Sequence, residues 1–214
     1  MLGDEQWAQG CSLLDAGCGD EAVAAWREAL RLNADHADAR YNVGVVLSQT
    51  GHVEAALTEW QETVRRHPDF WQAHENLGYV FLKRAYKKNR RRDWQAASNA
   101  YQRVRAVRPD DVQLLHQISV IEWRLGNRRA AISTLKEAVK LDPEREELLN
   151  RLVHWQMRMG YWRGLWQTAT ALCSLPTYDR AKYPLRPARV FFRLVLPIAV
   201  FVILMVFIFR WKRH

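Results

Sequence analysis

Small and apolar residues return along this chain with a period of about 34 residues. Between Ala37 and Phe70, the apolar positions fall into two helical patterns of about fourteen residues each. A turn at Gly51 joins the two patterns, and Pro68 closes the second. This arrangement predicts two antiparallel helices connected by a short loop.

Two small residues in this stretch predict where the helices approach each other closely. Gly44 lies in the first pattern and Ala56 in the second, while Trp60 is the large residue expected to fill the space beside them. The same offsets return along the chain and predict repeats at residues 3–36, 37–70, 71–111, 112–145 and 146–172. The corresponding helices are expected near residues 4–16, 20–32, 38–50, 53–66, 72–88, 94–107, 112–124, 128–140, 146–158 and 161–172.

The pattern resembles the tetratricopeptide repeat, or TPR. That repeat has a small residue at position 8, Gly at 15, Ala at 20, an aromatic at 24 and Pro at 32 of a 34-residue period. The resemblance implies an all-α superhelical solenoid of about five helix pairs, with the first helix of each pair lining a concave groove. Each pair buries only part of its apolar surface alone, so stacking of neighbours completes the core. Ten Gly and seven Pro in 214 residues are also typical of an all-α protein.

Two repeats depart from the period. In the third, the small residue of the second helix arrives seven residues late, at Ala97, after the basic insert KRAYKKNRRRD at residues 83–93. Seven residues are about two helical turns, so the insert is expected to lengthen the hairpin and preserve which faces meet. The fifth repeat has Val153 and Leu165 where small residues belong, which predicts an atypical capping repeat.

The C-terminal region follows a different pattern. Residues 173–189 contain three prolines without helical periodicity and are interpreted as a linker. Residues 190–209 are twenty predominantly apolar residues, enough to cross a bilayer as one transmembrane helix, with Arg193 near its start; a buried core helix is the alternative. A basic tail, 210–214, follows. The expectation is a C-terminal membrane anchor, with the repeats on the cytoplasmic side of a bacterial inner membrane or a mitochondrial outer membrane.

The net charge of +9 is local. Residues 1–82 carry five bases and thirteen acids, and residues 83–93 carry seven bases and one acid. Residues 173–214 carry eight bases and one acid. This asymmetry argues against a nucleic-acid-binding face along the whole array. Three cysteines without a CxxC pair favour a reducing compartment over a disulfide framework.

No enzyme motif stands out in the sequence. It lacks a glycine-rich phosphate loop, HExxH and GxSxG. His116 and His154 are the histidines expected to share a face, but they have no convergent third ligand, so polar groove contact is favoured over a metal or acid–base role. We therefore expect no catalytic activity, metal, cofactor or small-molecule substrate.

The groove is the predicted site of partner binding. Aromatic and histidine side chains on the first helices can anchor a partner segment through apolar area and hydrogen bonds. The alternative for each of them is packing on the next repeat alone. The predicted groove residues are Trp7, Tyr41, Tyr79, His116, Trp123 and His154.

The basic insert has three interpretations. It is a solvated helix extension, a contact for anionic lipid or an acidic partner, or a nucleic-acid site, the last being disfavoured because Tyr86 is its only aromatic residue. The bases are Lys83, Arg84, Lys87, Lys88, Arg90, Arg91 and Arg92.

The favoured function is a membrane-anchored scaffold that binds other proteins as an accessory or assembly subunit of a membrane complex. A membrane-tethered binder of nucleic acid or anionic surfaces is the alternative.

Overall fold

A computed structural model of the chain describes residues 3–176. Within this range the secondary structure is entirely helical. The ten helices are α1 (Asp4–Asp15), α2 (Gly19–Leu32), α3 (Ala37–Gln49), α4 (Val53–Arg66), α5 (Trp71–Lys88), α6 (Arg91–Val107), α7 (Val112–Leu125), α8 (Arg128–Leu141), α9 (Glu146–Met159) and α10 (Trp162–Ser174). All ten helices predicted from the periodicity are present, with bounds that differ by three residues or fewer.

The chain divides into two compact units, Met1–Thr134 and Leu135–His214, with the division falling inside α8. In the first unit, each helix from α1 to α6 packs against the next one along the chain. In the second unit, α9 packs against α10. Sequential packing of this kind is expected when each pair needs a neighbour to cover its remaining apolar face.

The core of the first unit is a series of clusters formed by successive helices. The first cluster joins α2 to α3, the second joins α4 to α5, and the third joins α5, α6 and α7. Their most buried large side chains include Trp26, Tyr101, Ile118 and Ile121. No central layer is required, because every helix contributes to a cluster with its immediate neighbours.

A close approach between an aromatic ring and a glycine fixes the helices within each early pair. A Cβ added at Gly44 would lie 2.5 Å from Trp60 Nε1, and one added at Gly10 would lie 2.4 Å from Trp26 Nε1. Both indoles therefore occupy the space that a side chain would fill. We call this the indole–glycine contact. The third pair uses Tyr101, whose ring would lie 2.7 Å from a Cβ at Gly78.

Each of the two indole N–H groups also donates a hydrogen bond to a main-chain carbonyl. Trp26 Nε1 donates to the Trp7 carbonyl at 3.1 Å, and Trp60 Nε1 donates to the Tyr41 carbonyl at 3.2 Å. Each acceptor lies three residues before the glycine under the ring. A buried indole N–H without an acceptor would be costly, so the hydrogen bond and the close packing support each other.

Helix α6 begins three residues earlier than the sequence predicts. Helix α5 ends at Lys88, as expected, but α6 begins at Arg91 and not at residue 94. Between them Asn89 takes a left-handed conformation (φ 46°) and Arg90 is extended. Asn tolerates the left-handed region better than most residues, so the reversal is completed in two residues and the next two arginines enter the first turn of α6.

The α9–α10 pair has large residues at two positions where the earlier pairs have small ones. Val153 of α9 and Leu165 of α10 are both buried and belong to a cluster with Leu149 and Leu172. Larger aliphatic side chains therefore form the contact between this pair of helices, and the capping role of the fifth repeat stays a prediction.

The described residues contain no helix that is both long and apolar enough to cross a membrane. The predicted anchor at residues 190–209 and the tail at 210–214 lie outside the described range, as does the predicted linker from residue 177 onward. These parts of the sequence analysis stay predictions.

Candidate protein-binding face and basic tip

Two tyrosines on one side of α5 are the most exposed tyrosines in the described residues. Tyr79 is 57% exposed and Tyr86 is 55% exposed. They are seven residues apart, close to two helical turns, so they lie on the same face of the helix. Lys83, also exposed, lies between them. We call these three residues the α5 face.

The position of Tyr79 follows from its neighbour. Gly78 is buried against the ring of Tyr101, so the adjacent side chain is directed away from that contact. Tyr101 itself is buried, and burial, followed by the nearby Glu75 and Tyr79, raises the pKa of its phenol. The inner tyrosine therefore stays neutral in the core, and the outer one offers its ring and hydroxyl to solvent.

Tyr86 is exposed but held in place. Its ring meets Trp94 edge-on, with centroids 5.0 Å apart and an interplanar angle of 74°. The guanidinium of Arg124 lies 5.9 Å from the Tyr86 centroid and 5.6 Å from the Trp94 centroid. These edge-to-face and cation–π contacts orient Tyr86 before any partner arrives. Tyr86 was predicted only as part of the insert, and its spacing of seven residues from Tyr79 is the sequence signal that the two share a face.

The predicted groove residues Trp7 and Tyr41 contact other residues within the fold. The Tyr41 ring lies 5.3 Å from that of Phe70, and its hydroxyl accepts a hydrogen bond from Asn76 Nδ2 at 3.3 Å. Burial raises the pKa of the Tyr41 phenol. Trp7 is half-buried with its ring 5.8 Å from that of His36. Tyr41 therefore contacts the next repeat through Asn76, and Trp7 packs against the last residue of its own repeat.

The other predicted groove residues differ in accessibility. His116 is 6% exposed, and its carbonyl accepts a hydrogen bond from Ser119 Oγ at 2.7 Å, so its side chain offers little area to a partner. Trp123 is half-buried, with the Arg128 guanidinium 5.4 Å from its ring centroid. His154 is exposed on α9 of the second unit. Of the six predicted residues, Tyr79 presents the largest exposed aromatic surface.

The insert forms the tip of the α5–α6 hairpin, here called the basic tip (residues 83–92). Two of its bases are engaged: Arg84 pairs with Glu54, and Arg92 Nε lies 3.9 Å from the buried Asp93 carboxylate. The remaining five are exposed and form no ion pair within residues 3–176: Lys83, Lys87, Lys88, Arg90 and Arg91.

The acidic, histidine and cysteine side chains of the described residues are scattered. Residues 3–176 contain no group of three His, Cys, Asp or Glu side chains able to hold a metal ion. The three cysteines are free and half-buried. What the described residues do offer is an exposed aromatic face and a charged tip, both suited to binding.

Stacked helix pairs with small-to-aromatic contacts define a repeat protein of the protein-interaction class. The tetratricopeptide repeat family models match residues 8–62, 44–86 and 112–145. Together these matches cover more than half of the chain, which therefore belongs to the tetratricopeptide repeat family.

Solved structures show the same fold. MamA AMB-1 is 17% identical with a TM-score of 0.66, and the match covers 86% of this chain and 96% of that one. MamA 41-end from Desulfovibrio magneticus RS-1 is 20% identical with a TM-score of 0.61, covering 81% and 94%. YrrB, described as a TPR protein with an unusual peptide-binding site, is 16% identical with a TM-score of 0.64, covering 78% and 82%. The search of curated proteins finds no match.

Proposed function

We propose that this protein is a membrane-anchored TPR scaffold that binds a segment of another protein on its α5 face. The observation that carries the proposal is the pair of tyrosines, each more than half exposed, on one face of a single helix. Tyrosine is enriched among residues that dominate protein interfaces, because it combines a large apolar ring with one hydrogen-bonding group and few rotatable bonds.

The spacing of the α5 face suggests the chemistry of the partner. Tyr79 and Tyr86 are separated by about 10 Å along the helix axis, since each residue adds about 1.5 Å. The ammonium of Lys83 lies between them in sequence and has no ion pair within residues 3–176. A complementary segment carries two apolar side chains about this far apart with a carboxylate between them. The peptide-binding site named for the similarly folded YrrB also supports a peptide as the ligand.

The membrane part of the proposal comes from the sequence. Residues 190–209 are long and apolar enough to span a bilayer, and bases flank them on both sides. We propose a single C-terminal anchor with the repeats on the cytoplasmic side of a bacterial inner membrane or a mitochondrial outer membrane. An anchored scaffold of this kind serves as an accessory or assembly subunit of a membrane complex.

Affinity purification of the full chain from detergent-solubilised membranes tests the binding face. Wild type is compared with the Tyr79→Ala/Tyr86→Ala variant and with Tyr161→Ala, which removes an exposed tyrosine from the second unit. We expect the same co-purifying protein with wild type and Tyr161→Ala, and at least a tenfold loss with the double variant, because loss of a hot-spot side chain costs about 2 kcal/mol or more. Equal recovery with all three would exclude the α5 face.

Membrane attachment has its own measurement. Alkaline carbonate releases proteins held at the surface by charge, whereas a spanning helix stays in the membrane pellet. We expect the full chain in the pellet, and a chain that is quantitatively released contradicts the anchor without affecting the partner-binding result.

A further inference from the structure

We propose that the basic tip binds the headgroups of anionic phospholipids and so gives the protein a second contact with the membrane. This inference rests on the proposed membrane attachment, but the residues that carry it lie in the first unit, far along the chain from the predicted anchor. It assigns a function to the insert that the repeat itself does not require.

The tip is an addition to the repeat. The contact that fixes the third pair, between Gly78 and Tyr101, forms below the insert, and Ala97 is fully buried beside it. Of the tip residues, Ala85 belongs to this core, and the five unpaired bases lie outside it. Asn89 reverses the chain in a tight turn, so α5 and α6 carry their charges together to a common end.

The tip retains most of its charge. Glu54 and Asp93 engage one arginine each, and the other five bases are exposed and unpaired within the described residues. The C-terminal region does not provide the missing counter-charge, because residues 173–214 carry eight bases and only one acid. The tip therefore keeps a positive charge that attracts anions, and a membrane surface rich in anionic lipid supplies phosphate and carboxylate groups at high density.

The side chains at the tip favour lipid over other anions. Residues 87–92 are Lys, Lys, Asn and three Arg, with no apolar side chain to anchor a protein partner. The tip has a single aromatic residue, Tyr86, whereas proteins that bind single strands stack successive bases on several rings. Long flexible bases with one ring at their edge match a fluid layer of headgroups better than a row of bases.

The test places a fluorophore beside the tip in the full chain. Gln95→Cys, on the exposed surface of α6, is labelled in a background in which Cys11, Cys18 and Cys173 are replaced by Ser. The labelled protein is reconstituted into vesicles of phosphatidylcholine, with or without roughly 30% phosphatidylserine, that carry an energy acceptor on their headgroups. We expect at least about twofold more energy transfer in the anionic vesicles, and a return to the neutral value near 1 M salt, where the Debye length is about 3 Å.

Two charge variants distinguish the tip from general basicity. The tip variant changes the five unpaired bases, Lys83, Lys87, Lys88, Arg90 and Arg91, to Gln. The matched control changes five exposed bases elsewhere, Arg27, Arg103, Arg129, Lys136 and Lys140, to Gln. The tip variant should lose the lipid dependence and the control should keep it. Equal transfer in both lipids with wild type, or an equal loss in both variants, overturns the proposal.

Other outcomes are also decisive. If short duplex DNA at matched phosphate concentration removes the transfer in anionic vesicles, the tip prefers nucleic acid and the lipid assignment is wrong. If carbonate releases the chain, the anchor fails, and the same labelled protein is added to preformed vesicles. Salt-sensitive transfer in that experiment supports the tip without the anchor, whereas its absence rejects both.

Discussion

Replacing Gly44 with Ala tests the indole–glycine contact directly. The new Cβ would lie 2.5 Å from Trp60 Nε1, 2.8 Å from Cδ1 and 3.0 Å from Cε2. Atoms in proteins do not approach this closely, and the indole cannot bend. It must therefore move away from α3, which also breaks its 3.2 Å hydrogen bond to the Tyr41 carbonyl.

The expected free-energy change combines three effects. Overpacking a well-packed core costs about 1–3 kcal/mol. Loss of the indole hydrogen bond adds about 1 kcal/mol. Alanine in the middle of a helix recovers about 0.5–1 kcal/mol relative to glycine. The net result is a destabilisation of about 1–3 kcal/mol, opposite in sign to the effect of the same substitution in an open helix.

Urea unfolding of the full chain in detergent, followed by circular dichroism, measures the change. The matched control is Gly19→Ala at the start of α2, whose added Cβ makes only an ordinary 3.5 Å contact with Val46 and should leave the midpoint unchanged or raise it. Trp60→Phe in the Gly44→Ala background should recover part of the loss, because the smaller ring leaves room for the methyl group. A Gly44→Ala midpoint at or above that of wild type would refute the contact.

Three further changes have equally specific expectations. Asn89→Ala should destabilise the chain by about 1 kcal/mol and Asn89→Gly should not, by urea midpoint, because only the alanine is penalised in the left-handed region. Asp111→Ala should cost about 1 kcal/mol in thermal unfolding, since its side chain accepts the Leu114 N–H at 3.0 Å as the cap of α7; Asp111→Asn should retain most of the stability. Hydrogen bonds from two arginines lower the pKa of Glu62 from 4.5 to about 2. The stabilisation that its carboxylate gives the folded chain is therefore present at neutral pH and is lost as the pH falls from about 4.5 to 2. Glu62→Gln should flatten this fall in stability at acid pH, and high salt should reduce the difference between the variant and wild type.

The helices were predictable because the same pattern of small and large residues recurs along the chain. A single Gly or Trp indicates little, but Gly10 with Trp26 and Gly44 with Trp60 recur at the same separation and predict the same contact twice. The start of α6 was missed because the helix begins with two arginines that continue a run of bases. Nothing in the three arginines 90–92 distinguishes a loop from a helix start, and the position is fixed only by the turn at Asn89.

The candidate site was predicted less well than the fold. The family resemblance indicates which helix face lines a groove, but it cannot show which aromatic residues are already used within the protein. Tyr41 is held by Phe70 and Asn76, whereas Tyr79 is not covered by any such neighbour and remains mostly exposed. These contacts join residues about 30 positions apart, so they become visible only when the repeats are stacked.

The indole–glycine contact has a consequence for how this protein can be altered. Each contact is completed within one span of 34 residues, so residues 37–70 contain both the glycine and the indole that hold their two helices together. Inserting a second copy of this span after Phe70 should give a longer protein whose added pair folds with the same internal geometry, since energies in such arrays are approximately sums over units and their nearest neighbours. Length is therefore adjustable in this chain in whole-unit steps.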